Sequence, residues 1–292
     1  MTLIPADTKD AKGPQGPSMP TMNFYPNPIL EPEVNAHDLP PYTETDTSPQ
    51  NREVPPRQAP APIPNQKVPE SNSISANSEV HITEPLHVLG SVKSASNIQL
   101  SNDVVVDGKV SASDYVKLSN RVIVHDKVES SSNIILFDGV KVVGKLQASG
   151  SIELRNGVSV DDKVKASGSV IMYGGELGVK VVGKVYASGS VEISGNVQIA
   201  GDIYTSGHVK ISPSGIGGVY LGGKIKSSGG VNVEGELTVE DHLVLSGGLT
   251  INGQLHCKGD LEVNGNVYMT PGSQLTVSGK RTIHGSMKEL TP

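Results

Sequence analysis

From Val68 onward the chain repeats a six-residue phrase: an aliphatic residue, a polar residue, a second apolar residue, and three small or turn-forming positions. VKVVGK, VYASGS and VEISGN, which run in succession from Val179 to Asn196, show it plainly. Stepping by six, 35 of 36 lead positions are aliphatic or Met, Arg281 being the exception, in a chain that is 36% hydrophobic overall. Within each phrase the apolar residues occupy places one and three, which is strand alternation with the odd places facing inward. Place five is Gly in 20 of 36 cases and Asn or Asp in nine more. These residues best tolerate a positive φ, so place five is predicted to be a left-handed corner.

Three phrases make an 18-residue coil. Twelve coils, with insertions of three, four and two residues near Glu176–Gly178, Gly215–Gly218 and Ser273–Gln274, account for residues 68–292. Every insertion falls between a third phrase and the next first one, hence at one corner of a three-sided coil. A fixed period of this kind means that each unit buries its apolar face only by stacking on its neighbours. The fold class expected is all-β, a single-stranded triangular parallel β-helix (a solenoid of about 12 coils of 18 residues), roughly 55–60 Å long at the usual strand spacing.

The third places of second phrases carry a further pattern. Nine small residues, Ala76, Ser94, Ala112, Ser130, Ala148, Ala166, Ala187, Thr205 and Ser227, are followed by Leu245, Val263 and Ile283. One side of the prism is therefore expected to pack tightly for nine coils and to be filled differently after about Leu237.

Residues 1–67 read differently. They hold 15 of the 20 prolines and two of the 33 glycines, with no sustained apolar period, and are expected to form a disordered proline-rich tail. Pro55 to Lys67 reads as a semi-stiff polyproline spacer. Leu39, Pro40, Pro41 and Tyr42 form a candidate linear motif for an aromatic-lined groove, through which the tail would bind other proteins.

Charge and composition narrow the chemistry. A formal charge of −6 argues against a general nucleic-acid binder, and a single Cys excludes a disulfide framework. The start MTLIPADTKD lacks the pattern of a signal peptide and no apolar run reaches 18 residues, so the expected setting is soluble and cytoplasmic. The histidines fall at outward or corner places, with no nucleophile, base and orienting group arranged together, so no enzyme, cofactor or metal is expected. Acyltransferases of the left-handed β-helix class also use 18-residue coils, but there the small residue follows the lead aliphatic, a phase this chain does not share. Cys257, at an inward third place, reads as a core residue.

Two surface features stand out as candidate sites. Lys109, Lys127, Lys145, Lys163 and Lys184 are the sixth places of five successive first phrases. Stacking puts them in a column, either an edge for acidic lipid or an acidic partner, or a solvated ladder neutralised by the interleaved Asp126 and Asp162. At the other extreme, Ile283, Met287 and Leu290 lie in the last coil, which needs a cap or another copy, and form a candidate end-to-end interface.

With the repeat phased, segments such as Val181 to Gly207, together with the V-x-V-x-G-K, V-x-A-S-G-S and G-D-I-Y phrases of the repeat, resemble the bactofilin family, polymer-forming cytoskeletal proteins. The resemblance covers Val68 to about Gly285. It implies a right-handed β-helix that polymerises end to end without nucleotide, with itself as principal partner, and serves as a scaffold or lies at a membrane surface. The competing structural reading is a non-polymerising solenoid spacer, or an adhesin or coat component.

Overall fold

In a computed structural model the chain divides into two units, Met1–Ala61 and Pro62–Pro292. The structure describes residues 68–213 and 217–290, all in the second unit. These residues form 34 strands, and every pairing between them is parallel. Outside the first side of the first coil, partners are 18 residues apart wherever no insertion intervenes, as in Ile134 with Ile152 and Leu243 with Leu261. Across the insertions the spacing stretches, Val158 pairing with Val179 and Val197 with Val219, and the ladder then resumes in step. The described residues are therefore a β-solenoid of about twelve three-sided coils.

Alternation decides what is inside. Along Val191–Ser194, Val191 and Ile193 are fully buried while Glu192 faces out. Lead and third places build one continuous core from Val80 to Val267, with Ala on the second side and otherwise mostly Val, Ile and Leu. Burying each such side chain contributes roughly 1.5–3 kcal/mol, so the column rather than any single coil stabilises the fold.

The second sides form a sheet of 12 strands, and the first and third sides are joined in a network of 22. The join is made by two nine-residue strands, Val231–Val239 and Leu249–Cys257, which run through the third corner without a break. The residues at that bend, Gly235 (φ +103°) and Gly253 (φ +133°), pair with one another. Here the coil bends instead of turning. The same region begins at the change to Leu leads and to large third places on the second side, so the sequence break near Leu237 has a backbone counterpart.

Two expectations need correction. The first coil is out of step by one residue on its first side: Glu70 pairs with His87 and Ser71 with Val88, 17 residues apart. An 18-residue frame would turn the Glu70 carboxylate into the core opposite Val88. The slip exchanges faces, placing Ser71 inward and leaving Val68 43% exposed. The second and third sides of that coil keep the regular spacing.

The second correction concerns the corners. All positive φ values among the described residues lie at the third corner, at Asn102, Asp103, Asn120, Arg121, Asp138, Asn156 and glycines from Gly139 to Gly272. At the first and second corners place-five glycine answers to crowding instead. A Cβ on Gly201 would lie 2.4 Å from the carbonyl oxygen of Gly183, and one on Gly207 would lie 2.6 Å from Gly189. Asp126, Asp162 and Asp241 also occupy the first corner, so the crowding can be relieved locally.

The small stripe on the second side is explained by its hydroxyls. Buried Ser94 donates to the carbonyl of Ser78 (2.7 Å) and Ser227 to that of Gly207 (2.8 Å). Ser130 and Thr205 make the same bond to Asp114 and Gly189. Each reaches the corner of the preceding coil, so the third place holds a group small enough to leave that contact open.

Candidate functional site

The end of the stack is built from three strands, Gln274–Val277, Arg281–Ile283 and Met287–Glu289. Each pairs with the coil before it and, among the described residues, with nothing beyond. Ile283 sits half-buried against the core beside Leu275 and Val277. Met287, 46% exposed, takes the lead place of the third side, at the rim of a depression of about 300 Å³ shared with Met269 and Gly272. Leu290, 39% exposed, follows Glu289, the partner of Met269, and donates its amide to the Met269 carbonyl. It stands at a fourth place, whose side chains alternate outward, so Ile283 and Met287 belong to the end face and Leu290 to its flank. At the opposite end Ile74, Ala76, Ile82 and Leu86 are likewise only partly covered.

The lysine column does not behave as a uniform edge. Lys127 (2.8 Å) and Lys145 (3.4 Å) both converge on Glu129, and Lys145 also donates to Gln147. Lys184 is 2.9 Å from Asp202 in the next coil. Lys109 and Lys163 make no ion pair among the described residues. Neutralisation therefore comes from the second side and from Asp202, and not from Asp126 and Asp162, because a lysine at place six is directed to the face that follows it. The hydrogen bond from Lys127, seconded by Lys145, holds the Glu129 carboxyl below the usual glutamate range against its partial burial. Burial alone pushes Asp202 up, but hydrogen bonds from Lys184, Tyr204 and the Lys224 amide leave it lowered.

A group that the sequence reading did not single out lies on the same face. Tyr186 and Tyr204 pair across successive coils, their rings 5.1 Å apart and within 8° of parallel. Lys165 and Lys226 are their partners in the coils on either side. Lys184 and Lys224 lie 5.7 and 5.6 Å from the centre of the Tyr204 ring. The two tyrosines with Lys165 and Lys226 border a shallow trough of about 400 Å³, with exposed Ser188, Ser206 and Ser228 along its other margin. The signal was present in the sequence, since Tyr186 and Tyr204 hold the same second place one period apart.

On the first side Asp107 joins two histidines, His87 (3.0 Å) and His125 (2.9 Å), and the hydrogen bond from His87, then that from His125, lowers its carboxyl. Cys257 is fully buried, its thiol 3.4 Å from the carbonyl oxygen of Asp241, and burial raises its pKa. Among the described residues no three His, Cys, Asp or Glu side chains are grouped to hold a metal ion, and no helix is long and apolar enough to cross a membrane. The motif Leu39, Pro40, Pro41 and Tyr42 lies outside the described residues. Compared with protein-family models, with curated proteins and with solved structures, the chain finds no match.

Proposed function

We propose that this protein is a structural, polymer-forming solenoid that assembles end to end and acts as a cytoplasmic, cytoskeletal scaffold. The observation that carries this reading is the last described coil: three strands that pair, among the described residues, on one side only, around an apolar cross-section formed by Leu275, Val277, Ile283 and Met287. An unpaired edge of this kind is a template for another chain. A second copy offers what the edge lacks, a parallel coil of the same outline with partly covered Ile74 and Leu86. Such a joint forms by backbone pairing and apolar burial alone, so nucleotide has no part in it. The hexad phrases that resemble those of the bactofilins support the same reading.

Negative-stain microscopy and sedimentation of the full chain without nucleotide test it. Filaments are expected, and Ile283→Lys with Met287→Lys should convert them to single rods with little change in thermal midpoint. Single rods from the unsubstituted chain at all concentrations would favour the spacer reading instead.

A further inference from the structure

The geometry points to a ligand site along the rod's flank: we propose that the second side around Tyr186 and Tyr204 binds an acidic polysaccharide lying along the solenoid axis. Four lysines, Lys165, Lys184, Lys224 and Lys226, surround the tyrosine pair. Asp202 stands among them, already committed to Lys184, the Tyr204 hydroxyl (3.0 Å) and the Lys224 amide (3.2 Å), and Asp162 lies at the first corner of the coil that carries Lys165. A local positive surplus on a chain of net charge −6 selects an anionic partner. The lysines span four successive coils, about 15 Å at the usual strand spacing, with the Tyr204 coil contributing none of them, which suits an extended ligand carrying spaced negative charges.

The neighbouring groups favour a glycan over other polyanions. The two rings face each other, and both flanking ammonium groups lie within reach of the Tyr204 ring, so no pair of open ring faces is left for bases to stack on. The backbone groups of this face are engaged in the ladder on both sides, so an extended peptide gains no main-chain pairing here. What the face does offer is side-chain hydroxyl. Ser167, Ser188, Ser206, Ser228 and Ser246 form an exposed row beside the lysines. A serine hydroxyl both donates and accepts, as sugar hydroxyls do, while the ammonium groups meet the carboxylates. This site is independent of end-to-end assembly.

The test is binding of the full chain to immobilised polygalacturonate, with neutral dextran, oligothymidylate and anionic phospholipid vesicles alongside. Polygalacturonate should be retained, dextran should not, and rising salt should weaken the binding. Replacing Lys165, Lys184, Lys224 and Lys226 by Gln should weaken it roughly tenfold or more, the scale of several surface charge contacts. Replacing Lys117, Lys141, Lys210 and Lys258 by Gln makes the same change in net charge elsewhere and should leave binding unaltered, with thermal melts checking that both variants fold. The proposal is overturned by absence of polygalacturonate binding, by equal loss in the two variants, or by tighter binding of oligothymidylate or vesicles.

Discussion

The hydroxyl of Ser94 donates to the backbone carbonyl of Ser78 in the coil before it and accepts the amide of Ser96 (2.9 Å), two residues on. It thus relays a bond that other coils make directly. Where the third place is alanine, the corner amide reaches the carbonyl itself, as Gly150 does to Ser132 (2.8 Å) and Gly168 to Gly150 (2.9 Å). Ser130, which also accepts from Ser132, uses the relay. Ser130→Ala should therefore lose no more than about 1 kcal/mol, because the direct bond can replace the relayed one. Ser130→Leu should lose about 1–3 kcal/mol or more by overpacking the corner. Chemical denaturation of the two variants checks the contrast.

The buried column makes its own demand. Val191 is fully buried and stacked between Val170 and Val209. Val191→Asp places a carboxylate there with no partner, and a loss of about 3–5 kcal/mol is expected in the same denaturation assay. An unchanged midpoint would contradict the inward assignment.

Corner glycines should divide by corner. Gly139 has φ +81° and its nearest neighbour for a Cβ is 3.4 Å away, at the corner place where Asp103 and Arg121 already adopt left-handed backbone. Gly139→Asn should be tolerated within about 1 kcal/mol. Gly201→Asn meets the backbone of Gly183 and should destabilise by more, although no left-handed conformation is required there. Paired thermal melts decide the matter.

Acid should act through Glu129. Its carboxyl is lowered from about 4.5 in the folded chain, so the stabilisation it brings is fully present above that value and is lost as pH falls through the lower folded value. The difference in thermal midpoint between the unsubstituted chain and Glu129→Gln should therefore shrink in the acid range below pH 4.5. A difference that stays constant with pH would show that Lys127 and Lys145 do not stabilise the ionised form.

Thiol chemistry offers a probe of integrity. The Cys257 thiol is fully buried and its pKa is raised, so the native chain should react with a disulfide reagent at neutral pH only as fast as the solenoid opens. Denaturant should restore the rate of a free thiol.

The solenoid was legible because its period is written in every coil: Val179, Val185 and Val191 announce three sides, and the insertions betray which corner is loose. What the repeat did not reveal are the places where one residue overrides the frame. Glu70 forces a slip because its charge outweighs the register, a conflict visible only once the strand facing it is known. Gly201 and Gly235 hold the same fifth place in sequence, yet one answers to a neighbouring coil and the other to its own backbone. The partners of the lysine column differ from the Asp126 and Asp162 expected, since Glu129 lies two residues after Lys127 on the adjoining face. Tyr186 and Tyr204 are marked in the sequence only by holding the same second place in successive coils, and their stacking emerges once those places are paired.

The short spacing between paired strands, 18 residues in most coils, also bears on how the chain finds its fold. Each coil closes a loop of similar short length, so chain entropy is lost in small steps and no pairing waits on a distant segment. Contacts are non-local in character but close in sequence, which places the solenoid nearer to helical proteins than to Greek-key sheets in expected folding speed. Growth from any nucleated pair of coils follows, with the outermost coils the last to settle and the first to fray.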